Sequence, residues 1–98
     1  MGHLHYGSPP TSFALPARTL AHIEFVVLAK LRRNEGFALS IDGESGGRQQ
    51  IWINTAATLR FEFDGPVSDI NRVWLEELID SANAASGMRI TPEPERTA

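Results

Sequence analysis

Two features of this chain carry the residue types that chemistry needs. The first is the pair His3 and His5, which alternates with Leu4 and Tyr6. On a strand that spacing puts both imidazoles on one side, where zinc or copper could be held. A third ligand must come from elsewhere, because the chain contains no cysteine. His22 offers no help, since the position one helical turn beyond it is apolar Val26. Exposed edge-strand histidines are the better reading, so no metal and no cofactor is expected. The second feature is LSIDGESGGRQQIWIN, residues 39–54. A phosphate-cradling loop needs Gly-x-x-x-x-Gly-Lys-Ser/Thr leading into a helix. Here Gly46-Gly47 is followed by Arg48-Gln49 and then by strand-like alternation. The Rossmann glycine spacing is missing too. Asp42-Gly43 and Gly46-Gly47 tolerate positive φ and lie between two alternating runs, so the stretch reads as a hairpin loop.

Covalent nucleotidyl transfer, as in ATP-dependent DNA ligases, uses Lys-x-Asp-Gly, in which the lysine attacks an α-phosphate. The matching residues here are Ser40-Ile41-Asp42-Gly43. Serine in the nucleophile's place removes that chemistry, and the chain is too short for an adenylation domain. No nucleophile-elbow spacing appears among the serines. Glu76 and Glu77 are neighbours on a helical stretch and do not face each other, so they read as a solvated face. The residues therefore point to a non-catalytic module.

Composition sets the outer bounds. At 98 residues, 42% of them apolar and 21% charged, the chain is one globular domain. A formal net charge of −3 argues against bulk electrostatic binding to DNA or an anionic membrane. Absence of cysteine excludes disulfides and thiol catalysis and is compatible with a reducing compartment. MGHLHYGSPP lacks the basic and apolar regions of a signal peptide. The longest apolar stretch, IEFVVLAKL, is broken by Glu24 and Lys30 and is far short of the ~20 residues that span a bilayer. A cytoplasmic protein that does not enter membranes is the expectation.

The elements that must position any site follow from periodicity. Leu4 with Tyr6, and Phe13 with Leu15, predict two short paired strands around the Gly7-Ser8-Pro9-Pro10 turn. From Arg18 to Arg33 the period becomes helical. Leu20, Ile23, Val27, Leu28 and Leu31 fall on one face and Arg18, His22, Ala29 and Arg33 opposite. Asn34 and Gly36 supply the stop. Three alternating runs follow, predicting an antiparallel meander with Phe37, Leu39, Ile41, Ile51, Ile53, Phe61 and Phe63 on one inward face. Gly65-Pro66 breaks the sheet. Ser68 or Asp69, with Asn71 as third choice, caps a second helix whose apolar face is Trp74, Leu75, Leu78 and Ala82. Gly87 is the expected C-cap, and Met88 and Ile90 make a last strand. The expected fold is α+β, a two-layer sandwich with a mostly antiparallel sheet in the order ββαβββαβ and two helices on one face. Residues 1–91 form the domain and 92–98 a flexible tail.

Two surfaces stand out. Trp52 points away from Ile51 and Ile53, and Gln50, Arg60, Glu62 and Arg89 are candidates for its side of the sheet. A tryptophan flanked by arginine on an open sheet can stack a base or anchor a peptide. The alternatives are packing under the N-terminal hairpin or a local cation–π contact with Arg60. Lys30, Arg32 and Arg33 at the end of the first helix would add basic charge to a nucleic-acid surface. On that helix, Phe25 and Val26 widen the apolar stripe. Either the N-terminal hairpin covers the extra side or it is the interface of a homodimer, in which Arg18, His22 and Arg33 would put like charges near the axis. A small binding or regulatory module, acting on an unidentified protein partner or on itself, is the leading reading. A nucleic-acid accessory protein comes second and an enzyme of unrecognised class third.

The segments HLHYGSPP, RTLAHIEFVVLAKLRRNEGFALSID, WIN, LRFEFDGP, NRVWLEELIDSAN and MRITPEPE resemble a family of small actinobacterial proteins of similar length. The resemblance covers almost the whole chain. It implies a domain of unknown function and a cytoplasmic location. Some members carry the automatic name ATP-dependent DNA ligase, which Ser40 does not support here. The resemblance brings no catalytic residues with it.

Overall fold

A computed structural model describes residues 1–42, 46–67 and 69–95. Its elements are β1 (Gly2–Tyr6), β2 (Thr11–Leu15), α1 (Ala17–Arg32), β3 (Phe37–Asp42), β4 (Arg48–Ile53), β5 (Leu59–Phe63), α2 (Arg72–Ala82) and β6 (Met88–Arg89). The fold is α+β, in the expected order ββαβββαβ.

The single sheet is corrected to two. One has the order β2-β1-β5 and the other β4-β3-β6. β3 and β4 form the expected antiparallel hairpin, with Phe37 opposite Ile53 and Asp42 opposite Arg48. Gly43, part of the predicted turn, lies outside the described residues. The meander stops at β4. Asn54 closes a turn there, its Oδ1 accepting from the Ala56 N–H and its carbonyl from the Ala57 N–H. The chain leaves for the other sheet, where β5 pairs antiparallel with β1, Leu4 opposite Phe61. Phe61 and Phe63 thus share no face with Leu39 and Ile53, and both are half-buried. What alternation could not choose was the partner strand: β1 offered an open edge as good as β4's. β6 joins β3 in parallel, Leu39 beside Met88, which the return through α2 permits. The sheets touch where the Tyr6 hydroxyl donates to the Trp52 carbonyl.

α1 turns a different face inward than its widest apolar stripe suggested. Leu20, Ile23 and Val27 are buried as expected, but so are Val26 and His22, while Leu28 is 43% exposed. The reason is α2, which packs across α1 and brings Trp74 within 4.5 Å of the His22 ring. His22 satisfies both nitrogens there. Nδ1 lies 2.7 Å from the Arg18 carbonyl, and Nε2 accepts from the Asn71 N–H at 2.9 Å. This is the neutral ring with its proton on Nδ1. α1 ends as predicted, with Asn34 in the left-handed region at φ 60° and the Glu35 N–H returning to the Lys30 carbonyl.

α2 is capped by Asn71, the third choice. Its Oδ1 accepts from the N–H groups of Val73 and Trp74. Ser68 lies outside the described residues, and Asp69 stands too far upstream of the first turn. Gly87 is no helix cap, since α2 ends at Ala82. Its φ is +87°, and a Cβ there would sit 2.8 Å from that of Ala38. It is the residue that lets the turn after α2 lie on β3.

The segment after Thr91 is tied down through Glu93. Arg18 grips its carboxylate with two bonds, Nε at 2.7 Å and Nη2 at 2.8 Å. Asn71 Nδ2 donates to the same carboxylate and to the Pro94 carbonyl. Arg18 and then Asn71 hold the Glu93 carboxyl down to about 2 from an ordinary 4.5. A depressed folded-state value means the stabilisation is complete above the unfolded value and lost as pH falls. We expect the tie to persist on acidification to pH 4.5 and to open as the pH falls through about 2. The amide shift of Trp74 or the Nε1–H shift of its indole, followed by NMR, checks it. Glu93→Gln should open the same contact at neutral pH.

Candidate functional site

Strand alternation fixes which side chains share the outer face of the second sheet. On β4 they are Arg48, Gln50 and Trp52, and the residues opposite on β3 are Asp42, Ser40 and Ala38. Arg89 lies beside Ser40 on β6, so Gln50, Ser40 and Arg89 form one row across three strands. Trp52 stands at one end of this face and is 61% exposed. Its indole leans over Gly36, where a Cβ would be 2.9 Å from Trp52 Cζ2 and 3.0 Å from the Ile53 carbonyl. Only glycine lets the ring lie down on the backbone at that point. A cavity of about 280 Å³ opens beside it, lined by Trp52, Gly36, Ala38, Lys30, Asn83 and Gly87.

The predicted site residues divide accordingly. Trp52 and Lys30 border the same cavity. Gln50 holds the turn that walls it, its Nε2 donating to the Ser86 carbonyl at 3.2 Å. Lys30 is committed, with Nζ donating to Glu35 at 3.2 Å and to Asn83. Arg32 and Arg33 are exposed at the end of α1. Arg60 belongs to the first sheet, opposite His5, so it and Glu62 do not share the Trp52 face. Phe25 is 52% exposed, whereas Val26 is 1% exposed and cannot take part in a surface contact. Ser40 is buried, and its hydroxyl finds no partner among the described residues. Arg48 and Arg89 are what sequence reasoning underweighted. Starting the strand at Gln50 hid Arg48, although it continues the same period of two. Among the described residues neither guanidinium has an ion-pair partner.

The outer face of the first sheet carries a second arrangement that the sequence did not reveal. His5 Nδ1 lies 2.7 Å from Ser12 Oγ and His5 Nε2 lies 2.9 Å from Glu62 Oε1. The bond from His5 lowers the Glu62 carboxyl below its ordinary value. An ionised Glu62 accepts from Nε2–H, and in the neutral ring Nδ1 accepts from the Ser12 hydroxyl. The three residues sit on β2, β1 and β5, so we read the string as a tie across three strands. With both nitrogens engaged, His5 is not free to join His3 on a metal, although their rings stack at 6.0 Å. Among the described residues no group of three His, Asp or Glu side chains is placed to hold a metal ion. Among them, too, no helix is long and apolar enough to cross a membrane.

A family model described as Domain of unknown function (DUF7882) matches residues 1–93. The chain belongs to this family. The DUF7882 match takes in both sheets, both helices and the Glu93 tie. No curated protein and no solved structure matches the chain.

Proposed function

We propose that this DUF7882 domain is a non-catalytic binding module that receives an anionic partner on the outer face of its second sheet. One observation carries the reading: an exposed indole, seated on Gly36, shares a sheet face with the guanidiniums of Arg48 and Arg89, which have no ion-pair partner among the described residues. Aromatic and arginine side chains dominate contact energies in protein interfaces, the first by area and the second by charge and fork geometry. Asp42 on the same face limits the attraction and favours a partner with few, well-placed negative charges over a polyanion.

A second reading is a single-stranded nucleic acid, with a base stacked on Trp52 and phosphates on the two arginines. The net charge of −3 opposes it. Titration with an oligothymidylate and, separately, with an acidic peptide distinguishes the two. Trp52 fluorescence is the signal, and buried Trp74 supplies a constant background. If two phosphates are engaged, the logarithm of the affinity should fall with that of salt with a slope of about 1.4. Trp52→Ala should abolish the response to either probe, and Gly36→Ala should weaken it by displacing the indole. No response to either probe would overturn the assignment of this face. Ligase-type nucleotidyl transfer forms no part of the proposal, and a cytoplasmic setting is its natural context.

A further inference from the structure

A different face suggests what the domain does with a second copy of itself. On the outer side of α1, Phe25, Leu28, Ala29 and Arg32 follow one another at the spacing that outlines a hole for one side chain of a facing helix. With Glu24 they line a groove of about 210 Å³. Glu24 and Phe25 also border a larger cavity of about 620 Å³, whose far wall is Phe63, Val67 and Ile70. The apolar strip therefore continues from the helix onto the connection between β5 and α2. Neither Glu24 nor Arg32 has an ion-pair partner among the described residues.

We propose that this face forms a two-fold homodimer in which the α1 helices pack antiparallel and cross near Leu28. The groove needs an occupant with apolar side chains at helical spacing and charges that answer both Glu24 and Arg32. A second copy supplies all of these. In an antiparallel pair crossing at Leu28, a residue four positions before the crossing lies level with one four positions beyond it. Glu24 then meets Arg32 of the second copy, and two-fold symmetry makes that contact twice. Moving the crossing to midway between Leu28 and Ala29 brings Glu24 level with Arg33 instead, so the complementarity survives a small shift. A parallel pair would set Glu24 against Glu24 and Arg32 against Arg32. Ala29 is small and allows close approach of the helices.

The structure also removes two of the like charges that would crowd the axis. His22 is buried and neutral, and Arg18 is held by Glu93. A stable interface needs on the order of 1,200 Å² in total, more than two helix faces supply. The strip over Phe63, Val67 and Ile70 extends the contact in that direction.

Sedimentation velocity on the full chain, from micromolar to several hundred micromolar at low salt, tests this. The wild type should dimerise with concentration, and Leu28→Glu should be a folded monomer by circular dichroism. Glu24→Arg alone should weaken association about tenfold, the effect expected of two reversed surface pairs. Combining it with Arg32→Glu or with Arg33→Glu should restore association. A wild type monomeric throughout would overturn the dimer and leave the groove to another chain. A dimer indifferent to Leu28→Glu would overturn the interface. Failure of both double reversals to restore association would overturn the antiparallel arrangement.

Discussion

Replacing Leu39 with alanine should lower the stability of the domain by about 2–5 kcal/mol. Leu39 is fully buried at the middle of β3, the central strand of its sheet, with Ile51 on one side and Met88 on the other. The side chain joins the core that also holds Ile53, Leu78 and Val27. Cutting it back removes apolar area from that core and leaves a void that strands paired on both edges cannot close. A domain of this size has only about 5–15 kcal/mol to lose, so the shift in the urea midpoint should be large and the slope unchanged. Phe61→Ala should cost less than Leu39→Ala. Full burial of Phe61 would have put the cost at about 3–5 kcal/mol, but the ring is only partly covered. The reverse ranking would show that β5, not β3, carries the core.

Asn71→Ala should destabilise by about 2–3 kcal/mol. Asn71 is buried and each end of its amide has a separate task. Oδ1 caps α2, which is typically worth about 1 kcal/mol. Nδ2 holds the Glu93 carboxylate and the Pro94 carbonyl, and losing them adds about 1–2 kcal/mol, chiefly at the half-buried Pro94 carbonyl, since the exposed Glu93 carboxylate returns to water. Asn71→Ser separates the tasks. It keeps a capping oxygen and loses the reach to Glu93, so it should recover roughly half of the loss. If serine is no better than alanine, the cap contributes little and the tie carries the effect. Thermal or urea unfolding of the three proteins decides.

Local order was legible because local physics sets it. Alternation located each strand, the helical period found α1 and α2, and Asn34 ended α1 in the left-handed conformation that its side chain tolerates. Pairing was not legible in the same way. Leu59, Phe61 and Phe63 alternate identically whether their neighbour is β4 or β1, and only the completed core chooses. His22 was misplaced for a related reason. A helix face looks polar in isolation, but a ring between Trp74 and the capping turn of α2 satisfies both nitrogens in the interior. Of the candidate site, Trp52 and Gln50 were visible from their period of two. Arg60 carries the same signal and belongs to another sheet. The bonds Arg18 makes to Glu93 and His5 makes to Glu62 join positions far apart in sequence, where no spacing rule applies.

The pairing of β1 with β5 sets an order of events during synthesis. β1 and β2 leave the ribosome before the other elements of the domain and can zip together at once, yet the second edge of β1 waits for residues more than fifty positions later. Throughout that interval the nascent hairpin presents an open row of backbone donors and acceptors, the kind of edge that recruits neighbouring chains. α1 emerges during the wait and can shelter the apolar side of the hairpin but not its edge. Arg18 waits longer still, for a carboxylate 75 residues away. Such distant closures are slow compared with helix formation. The vulnerable species is therefore the half-made chain, and crowded translation or a stall before Phe63 is where this domain should aggregate.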